Sequence, residues 1–197
     1  MTPQRKYIMA VDLDNTLVRG NTLHIYIKEG LKLASFPDRL AILCLLSLRR
    51  LRVISHRTMK FGCLGRIDAS DPTLRQRFKK RVKALFNPKV TEIIHNFNGT
   101  VLLASAAPDV YIPWIWNGPF LATRTTDNPD KAELRGQAKA DAVALYAREH
   151  NLSVCDVITD HSDDIPLMQL PEVRVFLVSP TPKTLARLPQ LQNITII

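Results

Sequence analysis

The sequence predicts an α/β protein, a Rossmann-like parallel sheet sandwiched by helices, with an all-helical segment inserted after the first strand. Three observations carry this prediction. After residue 100, short apolar runs alternate with amphipathic helical stretches, the pattern of a parallel sheet covered on both faces. A similar apolar run stands alone near the N-terminus, at Tyr7 to Val11. Between these two regions, from Thr22 to Phe86, the texture is helical throughout.

Taken in order, Tyr7 to Val11 is a short buried strand followed by the turn-rich "DLDNTLVRGN". "TLHIYIKEGLKL", "DRLAILCLLSLRRL" and "SHRTMKFGCL" are candidate helices. "PTLRQRFKKRVKALF" sets Leu74, Phe78, Val82 and Leu85 at helical spacing, with basic residues opposite. Asn87 and Pro88 close that block. Then come helix "VTEIIHNF", strand "TVLLAS" ending at Ser105, helix "QAKADAVALYAREH", strand "VCDVITD" ending at Asp160, and strand "VRVFLVS". On the long helix Ala138, Ala142, Leu145 and Tyr146 form an apolar stripe, and Asn151 is the expected stop. The expected division is a core of residues 1–20 and 88–197 and a helical domain of 21–87. No internal repeat or low-complexity tract is present.

The chain has 197 residues, 46% of them hydrophobic, enough for one sizeable core carrying a smaller insertion. Its net charge of +9 favours an anionic partner without choosing among phosphorylated metabolites, nucleic acid and acidic membrane. Cys44, Cys63 and Cys155 are widely spaced and lack metal-ligand company, which points to reduced thiols in a cytoplasmic setting. The apolar run at the N-terminus is too short for a signal peptide. Leu40 to Leu48 is about half the roughly 20 residues a spanning helix needs. That segment can lie on a membrane but not cross it.

In open parallel sheets, ligands bind beyond the carboxyl ends of strands. The polar residues of this chain gather at such ends: "DLDNT" after the first strand, "LLASAAPD" at the second, "ITDHSDDIPLM" at the third, with "RGQAKAD" opening a helix. This ordered set resembles the haloacid dehalogenase-like (HAD) phosphohydrolase superfamily, in the branch that contains phosphoserine phosphatase. The resemblance spans nearly the whole chain and makes residues 21–87 a cap domain between the first and second motifs. It implies a phosphatase in which Asp12 is the nucleophile that forms an aspartyl-phosphate and Asp14 is the general acid and base. It also implies Mg²⁺ as cofactor, on Asp12, the main-chain carbonyl of Asp14, and Asp160. Ser105 and Ala106 would hold phosphate oxygens, Lys139 would steady nucleophile and phosphate, and Thr16 and Asp164 would support the site.

Two positions depart from the pattern. His161 follows Asp160 where relatives usually carry a small residue, and Asp163 stands where phosphoserine phosphatases commonly have Asn, so its part as a ligand is in doubt. His24, His56, His95 and His150 show no metal-ligand spacing.

The segment Arg49 to Lys89 contains thirteen Lys or Arg against Asp68 and Asp71, a net of +11, so the positive field belongs to the cap. A basic cap suits a phosphorylated small-molecule substrate bearing more than one acidic group. No nucleic acid is expected, because "RQRFKKRVK" lacks a recognition module or interleaved aromatics. The run Leu40 to Leu48 followed by "RRLRVISHR" also resembles the caps of HAD phosphatases acting on lipid phosphates, which implies peripheral membrane contact. The favoured expectation is that this apolar face packs within the protein. A third possibility is a HAD-fold protein that holds a phosphorylated ligand or a membrane without turnover.

Overall fold

Strand β1 (Lys6–Val11) sends its side chains alternately into two apolar clusters, Ile8 and Ala10 into one, Met9 and Val11 into the other. That alternation is the strand's period of two, and it makes β1 the middle of a structure covered on both faces. The computed structural model describes residues 6–126, 133–189 and 193–197.

Four helices follow: α1 (Thr22–Leu33), α2 (Phe36–Arg50), α3 (His56–Leu64) and α4 (Pro72–Lys83). Each begins on a side chain that accepts from the first-turn amides, Asn21, Ser35, Ser55 and Asp71 respectively. Such caps satisfy donors that have no partner inside the helix. Helix α5 (Pro88–Asn96), capped by Asn87, returns the chain to the sheet.

The remaining elements are β2 (Thr100–Pro108), a 3₁₀ turn at Asp109–Tyr111, α6 (Ile112–Ile115), β3 (Phe120–Thr123), α7 (Gln137–Glu149) and β4 (Leu152–Thr159). A 3₁₀ turn at Ser162–Asp164, α8 (Ile165–Met168), β5 (Arg174–Leu177), α9 (Pro182–Leu185) and β6 (Ile194–Ile196) complete the chain. The six strands lie parallel in the order β3-β2-β1-β4-β5-β6. The connections run one way from β1 and then the other, so a crevice opens at the carboxyl end of β1.

One face of the sheet is covered by α7 through Ala140, Val143 and Ala147, packed with Ile8, Leu102, Val157 and Val175. The other face takes α1, α4 and α6. There Tyr26 of α1, Phe78 of α4, Tyr111 of the 3₁₀ turn and Trp114 of α6 pack as one group, with Phe78 and Tyr111 centroids 4.8 Å apart. Of the stripe expected on α4, Leu74, Phe78 and Val82 are fully buried and Leu85 half-buried.

Two packing expectations hold only in part, for Tyr146 of α7 and for Ile42, Leu45 and Leu46 of α2. On α7, Ala138 and Leu145 are exposed, and the buried stripe is one step round, at Lys139, Ala140, Val143 and Ala147. Both stripes have helical spacing, and the one that buries Lys139 also seats the small Ala140 and Ala147 on the sheet. On α2, only Ile42 is fully buried, while Phe36, Leu40 and Leu43 stand exposed. The helix is apolar on more than one side, and its neighbours cover only the side of Ile42.

Candidate active site

Beyond Val11 the chain leaves the sheet but keeps its alternation: Leu13 is fully buried, while Asp12 and Asp14 face the crevice. Asn15 turns the chain in the left-handed region at φ 59°, which Asn tolerates better than most side chains. The turn is then locked by main-chain bonds from Leu17 to Asp12 and from Val18 to Leu13. The two acids do not pair with each other. Asp14 accepts from the amide of Thr22 at 2.7 Å and from its hydroxyl at 2.6 Å, and that hydroxyl lies 3.0 Å from Tyr111 Oη. The first turn of α1 therefore holds the Asp14 carboxyl. Burial pushes Asp14 above the ordinary carboxylate range, against the bonds from Thr22.

Asp12 meets Lys139 instead. The Lys139 ammonium, 3% exposed, donates to Asp12 Oδ1 at 2.8 Å and to Asp164 Oδ2 at 2.9 Å. Burial would lower its pKa, but the two carboxylates outweigh burial and hold it above the ordinary value. Asp12 itself is pushed up to about 7, chiefly by burial, with Lys139 pulling the other way and Asp164 and Asp14 adding to the rise. Asp164 is fixed from its far side by the Thr159 hydroxyl at 2.6 Å. Helix α7 is set to deliver this lysine by Gly136, whose φ of 59° begins the helix and whose carbonyl accepts from Lys139 and Ala140.

Ser105 and Ala106 lie where β2 has run past its partner β1, whose pairing stops at Val11 with Leu103. The strand reaches Pro108, further than the expected end at Ser105, and its register with β3 shifts between Ala104 and Pro108. Ser105 Oγ accepts from the Ala107 amide at 3.1 Å, which leaves its hydroxyl hydrogen able to donate into the crevice. The Ala106 carbonyl is held by Thr123 Oγ1 at 2.8 Å and by Lys60 Nζ at 2.7 Å.

Asp160 follows β4 and accepts from the Thr16 hydroxyl at 3.3 Å. Its carboxyl too is raised by burial. Among the described residues, no three His, Cys, Asp or Glu side chains form a set able to hold a metal by themselves. The donors at this edge still suit a hard cation, which binds through oxygen and keeps several waters. Asp12, Asp160 and the Asp14 main-chain carbonyl are all oxygen donors, and carboxylates outnumber the buried ammonium groups here. Asp163 is taken by Arg135, whose Nε donates at 2.6 Å, and it lies 3.1 Å from His161 Nδ1. That pairing offsets the extra negative charge.

All the predicted site residues except Thr16 thus gather round one cavity of ≈ 260 Å³, and Thr16 reaches it through Asp160. The structure adds residues that the sequence did not single out. Lys60 of α3 is 2% exposed and pairs with Glu133 at 2.7 Å as well as with Ala106. His56 and Arg135 line the same cavity. Burial lowers the His56 pKa, with Glu133, 3.9 Å away, opposing. Lys60 is one of thirteen basic residues in its segment, and nothing in its spacing separates it from the solvated ones.

A family model described as haloacid dehalogenase-like hydrolase matches residues 10–169, a span that includes every residue from Asp12 to Asp164 discussed above. Among curated proteins none matches. Among solved structures, a protein of unknown function from Bordetella pertussis aligns with a TM-score of 0.76 at 14% identity, over 98% of this chain and 99% of its own. A probable phosphoserine phosphatase from Vibrio cholerae aligns with a TM-score of 0.65 at 12% identity, over 95% of this chain and 59% of its own. A phosphoserine phosphohydrolase-like protein from Francisella tularensis gives 0.57 at 17% identity, over 96% and 94%. At these identities the likeness is one of fold.

Proposed function

Because this chain belongs to the haloacid dehalogenase-like hydrolase family, we propose that it is a Mg²⁺-dependent phosphomonoester hydrolase working through a phosphoenzyme on Asp12. The observation that carries this reading is Lys139, a buried ammonium bonded to both Asp12 and Asp164 at the mouth of the switch-point crevice. In that place it orients Asp12 and adds positive charge where a phosphoryl group must sit.

An Asp12 oxygen attacks phosphorus in line, forming the aspartyl-phosphate as the bond to the leaving oxygen breaks. Asp14, whose raised pKa favours the protonated carboxyl, gives its proton to that leaving oxygen. It then takes a proton from the water that attacks the aspartyl-phosphate, releasing phosphate and restoring Asp12. Ser105 Oγ and the Ala106 amide receive phosphoryl oxygens, and Lys139 stabilises their charge. Asp12, Asp160 and the Asp14 carbonyl hold the cation, with Thr16 and Asp164 in support; bound Mg²⁺ supplies neutralisation of the phosphoryl oxygens. Residues 21–87 act as the cap over a phosphorylated small molecule, in the cytoplasm.

Purified protein should hydrolyse an aryl phosphate with Mg²⁺, lose this activity in EDTA and regain it on Mg²⁺ addition. Asp12→Asn should abolish turnover while leaving the circular dichroism spectrum unchanged. Full activity in Asp12→Asn would refute the mechanism.

A further inference from the structure

The outer face of α2 presents to solvent an apolar stripe interrupted only by Ser47. Phe36 is 77% exposed, Leu40 61% and Leu43 47%, and beyond the helix end Leu51 is 72% and Val53 67% exposed. Positions 36, 40, 43, 47 and 51 share one side of a helix, so these residues form one surface and not scattered exceptions. The other large exposed apolar residues, such as Tyr7, Leu145 and Leu185, lie singly on separate elements. Isolated exposed apolar residues are ordinary, but a contiguous patch marks an interaction surface.

The charge around the stripe identifies what it meets. From Leu33 to His56 there are four arginines, Arg39, Arg49, Arg50 and Arg52, and one acid, Asp38. That acid is engaged by the Ser35 hydroxyl at 2.5 Å. Arg39 and Arg50 flank the stripe on one edge by helical spacing, Arg52 extends its end, and all three are exposed. A second copy on this face would set the arginines of both chains against one another with almost nothing to offset them. An anionic bilayer accepts both parts, apolar side chains at the acyl boundary and guanidinium groups among the headgroup phosphates.

We infer that the outer face of α2 docks the protein on an anionic lipid bilayer. A short connection, residues 51–55, joins α2 to His56 at the start of α3, and His56 lines the cavity described above. No helix among the described residues is long and apolar enough to cross a membrane.

The test is sedimentation of the full chain with vesicles of phosphatidylcholine alone or mixed with phosphatidylglycerol. Wild type should pellet with the mixed vesicles, about tenfold more than with phosphatidylcholine alone, and less as salt rises. Leu40→Glu/Leu43→Glu and Arg50→Glu/Arg52→Glu should each cut this binding about tenfold or more, while hydrolysis of a soluble aryl phosphate stays at the wild-type rate. Asp12→Asn should bind vesicles like wild type, so that failure of docking and failure of the hydrolase reading remain distinguishable. Equal pelleting of wild type with both vesicle types would overturn the inference, as would undiminished binding of the two double variants. A dimer in sedimentation velocity that Leu40→Glu/Leu43→Glu dissolves, without vesicle binding by wild type, would assign the face to a second copy instead.

Discussion

At the carboxyl edge of the sheet, charged side chains are withdrawn from water and bonded to one another, whereas on the outer face of α2 the large apolar side chains of Phe36, Leu40 and Leu43 stand largely in water. Lys139, Asp164 and Lys60 are each less than 5% exposed, and each has two or more partners. Buried charge is stable only when paired and hydrogen-bonded, so that edge must be rigid to exist at all. The exposed α2 residues are under no such constraint, and exchanging them should cost the fold little. The difference separates a region built to hold one geometry from a region available for contact.

The strongest way to break the comparison is at Lys139. Lys139→Met should lower aryl phosphate hydrolysis by about 10³-fold and destabilise the fold by about 3–5 kcal/mol, because Asp12 and Asp164 are left buried without their cation. The sign of the pH dependence separates this from a packing loss. Asp12 already titrates near 7 with the lysine present, and removing a group that lowers its pKa raises it further. The folded variant then holds protons that the unfolded chain releases near 4, so its stability falls as pH rises through that window. Urea melts at pH 5 and pH 8 should show the larger deficit at pH 8; equal deficits would mean that Lys139 is merely a packed side chain.

Phe78→Ala tests whether the inserted helices are tight on their inner side. It empties the centre of the aromatic group formed with Tyr26, Tyr111 and Trp114 and should cost about 3–5 kcal/mol by thermal or chemical melts. The kcat of the surviving folded protein should stay within about twofold, since Phe78 lies outside the cavity lining. A cost under about 1 kcal/mol would mean that the insertion is as loosely built inside as α2 is outside.

Lys60 ties the inserted helices to the charged edge, reaching from α3 to the Ala106 carbonyl and Glu133. Lys60→Met should leave those acceptors short of a donor, costing about 1–3 kcal/mol. It should lower kcat/KM about tenfold by loosening the strand end that carries Ser105. Unchanged kcat/KM would make Lys60 a structural tie alone.

How much of this was legible in the sequence follows the same division. Helix α1 spans Thr22–Leu33 as read, and the strands carrying Asp12, Ser105 and Asp160 were found because their apolar runs are long and closed by polar turns. The edge strands β3 and β6 and the four-residue helices α6, α8 and α9 were not, since three or four residues carry no periodicity. The acids and Lys139 announced themselves by motif. Lys60, Thr22 and Tyr111 did not, because their partners are 46, 8 and 89 positions away in sequence and only the tertiary fold brings them together. On α2 and α7 the pattern declared that an apolar stripe existed without declaring which side would be covered.

The smallest effect concerns how finely the charged edge is set. Gly136 has φ 59° and ψ −131°, a conformation that residues with a side chain rarely adopt. A Cβ built there meets nothing closer than the Asp163 carbonyl oxygen at 3.8 Å, so the cost of Gly136→Ala comes from the backbone and not from a clash. That cost should be about 1–3 kcal/mol in melts. The backbone relieves it by turning the first residues of α7, and the Gly136 carbonyl that receives the Lys139 amide moves with them. Because Lys139 must reach Asp12 and Asp164 within hydrogen-bond range at once, even a small rotation should lower kcat, by about tenfold, with KM little changed. An alanine there that melts and turns over like wild type would mean that the lysine tolerates a freer approach than its two short bonds suggest.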